Sequence, residues 1–232
     1  MSFEPQWGYS TGINDLLNPS VRSSVVGPTV VHFGDVTAAC EQFIRQSDQV
    51  VGAVAWVRSP RLIRALADRP VALIVNKEFA LRQQQSKERL ALRPLRGGVR
   101  RYSLSKAPVR VIGDCSRGSF TGLMHHKFLI RLERGRPVAV WTGSLNFTTG
   151  AAGNLENAVE IHDKAVAREF FHEFERLWDV AEPIDFKRGA PAGIRSAARP
   201  RKREGTLTVV KQPERKQQPV KRKHVAARRT AA

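Results

Sequence analysis

The chain predicts an α/β fold: a mixed β-sheet flanked by helices, built as one domain followed by a disordered basic tail. Three observations carry this. Short apolar runs alternate with amphipathic helical stretches between about residues 28 and 180, the order that builds a layered sheet. Near residue 135, two apolar runs flank Glu-Arg-Gly-Arg-Pro (133–137), as in a hairpin. Beyond residue 186 large apolar side chains become sparse and basic ones frequent, so this segment cannot bury enough surface to offset its ordering entropy.

Taken in order, residues 1–26 are rich in Ser, Gly, Asn and Pro with little periodicity, and read as a leader. The globular domain is placed at 27–182 and the tail at 183–232. Within the domain the pattern predicts a strand near Val30 to Phe33, a helix near Thr37 to Gln46 and an apolar strand near Val50 to Val57. A helix near Pro60 to Ala67, a strand near Val71 to Val75 and a helix around Glu78 to Leu92 come next. Strands near Val99 to Leu104 and Val109 to Ile112 precede the hairpin, whose arms are residues 125–132 and Val138 to Thr142. Asp163 is placed to cap a last helix, because Val166, Phe170, Phe171, Phe174, Leu177 and Trp178 recur at helical intervals; Pro183 ends it.

The chemistry gathers in the hairpin. On a strand through 125–132, alternation puts His125 and Lys127 on one face and His126 on the other. After the return strand, Gly143 permits close backbone approach, and Ser144 and Asn146, two apart, aim a hydroxyl and an amide the same way. Lys127, Ser144 and Asn146 are thus suited to surround the nonbridging oxygens of a phosphate, where charge builds during displacement. A neutral imidazole at His125 is a nucleophile beside them.

This arrangement, His-x-Lys followed by Gly-Ser-x-Asn, resembles the phospholipase D superfamily. The likeness is strongest over residues 124–161 and extends over about 28–180. It is closest to the small bacterial nucleases of that superfamily, because Asn154-Leu-Glu-Asn-Ala-Val159 stands where those proteins carry a similar Glu-Asn stretch. The resemblance implies a phospholipase D-like fold and a two-step mechanism through a covalent phosphohistidine at His125. A second histidine serves as acid and then base. His162-Asp163-Lys164 repeats the His-x-Lys spacing, but no Gly-Ser-x-Asn follows it. The single motif therefore implies a homodimer in which each protomer lends His125 across a two-fold axis. Glu156 is the candidate for holding an imidazole in its reactive tautomer. One departure stands out: where the family has Asp, five residues after the Lys, this chain has Leu132, and Glu133 replaces that Asp only if the turn has begun.

Neither cofactor nor metal is expected. Adjacent His125 and His126 point apart on a strand, and Cys40 and Cys115 form no Cys-x-x-Cys pair to join them or His32 in a closed zinc site. No membrane span is expected, since no run is apolar for long enough. The opening Met-Ser-Phe-Glu-Pro-Gln-Trp lacks the form of a secretory signal, and the two cysteines suit a reducing compartment, so a cytoplasmic protein is expected.

Of the net charge of +18, residues 187–232 carry +13, leaving +5 for residues 1–186. Nucleic acid is the expected partner, because each phosphate neutralised releases condensed counterions. The candidate contacts are Arg96, Arg100 and Arg101 in a basic stretch that also holds Arg82, Lys87, Arg89 and Arg93, and Arg201, Lys202, Arg203, Lys221, Arg222 and Lys223 in the tail. A solvated helix face is the competing reading of the first group; solubility or attraction to anionic lipid competes for the second. The expected activity is cleavage of DNA or RNA phosphodiesters without a metal. Phospholipid phosphodiester cleavage and noncatalytic nucleic-acid binding are the alternatives.

Overall fold

The structure is a computed structural model, and it describes residues 22–81, 87–97, 107–115 and 123–188. Strands β1 (Arg22–Val26), β2 (Thr29–Gly34), β3 (Gln49–Val54), β4 (Val71–Asn76), β5 (Val109–Ile112), β6 (Lys127–Glu133), β7 (Arg136–Gly143), β8 (Glu156–Ile161) and β9 (Glu182–Pro183) form one sheet. Their order is β1-β2-β8-β7-β6-β3-β4-β5-β9. β3, β4 and β5 run parallel and every other neighbouring pair is antiparallel, giving the mixed sheet that the sequence predicts. The helices are α1 (Thr37–Arg45), α2 (Pro60–Ala67), α3 (Lys77–Leu81), α4 (Lys87–Ala91) and α5 (Lys164–Val180).

β3 and β4 are buried along their whole length, as central strands covered on both faces must be. Alternation sends Val50, Val54, Leu129 and Trp141 to one face, where Phe43 and Ile44 of α1 and Leu62 and Leu66 of α2 cover them. Val51, Ala53, Phe128, Ile130 and Val140 go to the other face, under Phe174, Leu177 and Trp178 of α5. Asp163 caps α5 by accepting from the amides of Ala165 (2.7 Å) and Val166 (2.9 Å). The buried Lys77 ammonium meets Glu182 at 2.7 Å and ties the edge strand β9 to the start of α3.

Several expected boundaries move. The inner end of the leader is strand β1, joined to β2 through Gly27 at φ +57°; its residues are all exposed, so its sequence carries no alternation. At the other end, β9 and the buried Ile184 and Phe186 belong to the folded domain. The helix expected around 78–92 is instead two short helices, with residues 82–86 outside the described ones, and a 3₁₀ turn (Arg93–Gly97) follows. Pro94 has no amide hydrogen to continue an α-helix. The strand expected at 99–104 lies outside the described residues.

Candidate active site

Three strand ends meet at one rim of the sheet. β6 runs antiparallel to β3, so its start lies at the carboxyl end of β3, with Lys127 opposite Val54. β7 ends and β8 begins at the same rim, with Gly143 opposite Ala158. This is the end of the parallel strands where open α/β sheets place ligands.

His125 is exposed and lies two residues ahead of the first residue of β6. The backbone around it is held on both sides: Ala55 donates its amide to the carbonyl of His126 (2.8 Å), and the Asn76 amide reaches the carbonyl of Met124 (3.5 Å). Lys127 Nζ stands 3.2 Å from each ring nitrogen of His125, so the expected pairing of imidazole and ammonium is present. Burial pulls the Lys127 ammonium below the ordinary lysine range, and the Glu156 carboxylate opposes that shift. His126 points to the other face, 3.4 Å from Glu173 of α5.

Ser144 and Asn146 sit on a loop anchored by the buried Leu145 and Phe147. Phe147 donates its amide to the Trp56 carbonyl (2.9 Å), and its own carbonyl accepts from the amides of Arg58 (2.5 Å) and Ser59 (2.6 Å). The Ser144 amide donates to the Asn157 carbonyl (2.9 Å), and its hydroxyl donates to Glu156 Oε2. Asn146 Oδ1 is buried without a hydrogen-bond partner among the described residues, an unsatisfied atom of the kind native structures retain at functional positions. Close packing fixes the loop: a Cβ on Gly143 would lie 2.7 Å from Ala158 Cα and closer still to the Asn157 carbonyl oxygen.

Not every expected residue falls where the sequence put it. Glu156 bonds Ser144 and Asn154, with Asn154 Nδ2 at 3.4 Å; among the described residues these, and not His125, are its hydrogen-bond partners. Glu133 does not stand in for the missing Asp. It is still in strand, six residues or about 20 Å beyond Lys127, and pairs with Arg131 at 2.9 Å. Leu132 is buried in the core. Arg96 lines a cavity with Pro108, Val109, Ile184 and Lys187 near the β5–β9 edge. Arg89 is buried, while Lys87 and Arg93 are exposed. Arg82, Arg100, Arg101 and the tail candidates Arg201, Lys202, Arg203, Lys221, Arg222 and Lys223 lie outside the described residues.

Two residues escaped the sequence reading. The Trp56 ring meets the His125 ring edge-on at 5.4 Å, and Phe79 packs against the same indole at 6.0 Å. The sequence singles out neither; only their position just past the ends of β3 and β4 places Trp56 beside the histidine and Phe79 against Trp56.

A basic and hydroxylic cluster thus surrounds an exposed imidazole at the carboxyl rim of a mixed sheet, groups of the kind that bind phosphate oxygens. The family model described as "Cardiolipin synthase, PLD-like domain" matches residues 54–178. The chain belongs to the phospholipase D superfamily, a family of phosphodiesterases. It is 25% identical to an uncharacterized protein of Acanthamoeba polyphaga mimivirus, with 70% of this chain and 69% of that protein covered. It is 38% identical to the mitochondrial cardiolipin hydrolase of Mus musculus over 36% of this chain, spanning only 34% of that protein. NucT from Helicobacter pylori shares the fold at a TM-score of 0.50 and 16% identity, with 67% of this chain and 99% of that one covered.

Proposed function

We propose that this protein is a nuclease that cleaves DNA or RNA phosphodiesters, without a metal, through a phosphohistidine formed at a homodimer interface. The observation that carries the reading is the cluster of His125, Lys127 and Ser144, with Asn146 beside them on the anchored loop. In the first step a nitrogen of His125 bonds to phosphorus and the bond to the leaving oxygen breaks, with that oxygen taking a proton from a second imidazolium. In the second step the second imidazole takes a proton from water, the water oxygen bonds to phosphorus, and the phosphorus–nitrogen bond breaks. Lys127, Ser144 and Asn146 stabilise the charge on the nonbridging oxygens.

The second imidazole is assigned to the partner's His125, because the other described histidines are occupied elsewhere. His32 bonds Glu160 (3.0 Å) and Ser23 (2.7 Å), His162 bonds Glu160 (3.2 Å), His126 faces α5, and His172 lies exposed on α5. Glu156 serves as a positioning residue that holds the Ser144 hydroxyl until a phosphate oxygen takes over as its acceptor, and it favours the charged form of Lys127. A net charge of +18 suits a polyanion, with the tail clusters 201–203 and 221–223 and Arg100 and Arg101 as its proposed contacts.

A second reading, phospholipid phosphodiester cleavage, is favoured by the family model's description and the likeness to mitochondrial cardiolipin hydrolases. No helix among the described residues is long and apolar enough to cross a membrane, and a soluble cytoplasmic location remains part of the proposal. Incubating the purified protein with plasmid, RNA and phosphatidyl lipids separates the two readings. Cutting of nucleic acid that persists in EDTA and is abolished by His125→Ala is expected. Cutting confined to lipid, or EDTA-sensitive cutting restored by zinc or magnesium, contradicts the proposal.

A further inference from the structure

Behind Trp56, whose ring meets that of His125, lies a cavity of about 350 Å³ lined by Trp56, Asn76, Glu78, Phe79, Lys87, Glu88 and Leu123. Its size falls in the range of small-ligand sites, roughly 300–1,000 Å³. Trp56 is shared between this cavity and the candidate site, since its indole meets both the His125 ring and Phe79. Whatever occupies the cavity is therefore separated from His125 by the Trp56 ring. Leu123, half exposed, adds a further apolar wall.

The walls differ in chemistry. The Trp56–Phe79 pair, tilted by 28°, offers aromatic surface to a flat partner. Lys87 is exposed at the rim, and Glu88 is held there by Arg58 at 3.3 Å. The floor is fixed: Asn76 Oδ1 accepts from the Phe79 amide (2.8 Å) while its Nδ2 reaches the Met124 carbonyl. A wall that carries Glu78, Lys87 and Glu88 beside the aromatic pair is a poor fit for an alkyl chain, which offers no hydrogen bond to charged groups. A nucleobase stacks on the aromatic wall and turns a hydrogen-bonding edge to the charged rim.

We infer that the Trp56–Phe79 cavity is a base-stacking subsite that holds the nucleobase next to the scissile phosphate, which makes single-stranded nucleic acid the preferred substrate. This rests on the nuclease reading above. A duplex keeps its bases stacked within the helix, whereas a single strand presents them to aromatic side chains. Phe79 and Trp56 are accordingly specificity-determining residues.

The test uses the full-length protein and two single-stranded oligonucleotides with one cleavable linkage each, identical except that one carries an abasic residue beside that linkage. The readout is the ratio of cleavage rates, base-bearing over abasic. The wild-type ratio is expected to exceed one by about fivefold or more, the scale of one base–aromatic stack. Phe79→Leu, which keeps an apolar side chain but loses the ring, should bring the ratio close to one, and Phe79→Tyr should retain it. If Phe79 only supports Trp56 and His125, Phe79→Leu lowers both rates alike and leaves the ratio unchanged, which overturns the subsite. Equal wild-type rates on both oligonucleotides overturn it as well. Failure to cut any oligonucleotide, with cutting of phosphatidyl lipid that Phe79→Leu weakens, overturns the nuclease reading itself and gives the cavity to an acyl chain.

Discussion

Lys127 is subject to two opposed influences, and their balance is measurable. Burial disfavours its ammonium while the Glu156 carboxylate favours it. A phosphate oxygen is bound by the charged form, so activity falls as pH rises through the Lys127 pKa. In kcat/KM, which reports the free enzyme, this alkaline limb should lie below the range of an unperturbed lysine. Glu156→Gln removes the charge that holds the pKa up, so the limb should move to still lower pH. The substituted amide oxygen can still accept from the Ser144 hydroxyl, so the limb should move without a comparable loss of rate below it. A limb that is unmoved or displaced upward in Glu156→Gln contradicts the role given to the carboxylate.

At the scale of elements, the site depends on the close approach of β7 and β8. Gly143→Ala would drive a methyl into the Asn157 carbonyl and Ala158, so the strands must separate and carry Ser144 with them. Loss of cleavage by tenfold or more, with a thermal midpoint lowered by several degrees, is the expected outcome; unchanged values for both contradict the packing described here. The same elements show what the sequence made legible. β3, β4 and α2 were readable because long apolar or amphipathic runs have a clear period and Ser59 and Pro60 mark a helix start. His125, Lys127, Ser144 and Asn146 were readable as a set because their spacing survives folding as neighbourhood. β1 was not, since an exposed edge strand has no buried face to impose a pattern. Glu156 was found, yet its bonds to Ser144 and Asn154 depend on the β7–β8 register, which spacing along the chain does not contain. Trp56 and Phe79 were missed for a related reason: an aromatic beside a buried strand looks the same whether it enters the core or turns to the rim.

For the whole molecule, one described cluster supplies one free imidazole, while the proposed chemistry uses two. Closure by a two-fold axis doubles whatever lies on it, so a dimer with His125 near the axis supplies both from a single gene product and leaves one shared site per pair. The basic segment beyond residue 186, with +13 of the +18, would then be present twice around that site, which strengthens attraction to a polyanion in proportion to the phosphates engaged. The most direct test of this claim mixes wild-type and His125→Ala protein in equal amounts, dissociates and reassociates them, and measures cleavage at fixed total protein. A site needing both histidines retains about one quarter of the all-wild-type rate, because only the wild-type pairs work. Retention of about one half, the sum of protomers acting alone, would contradict the account.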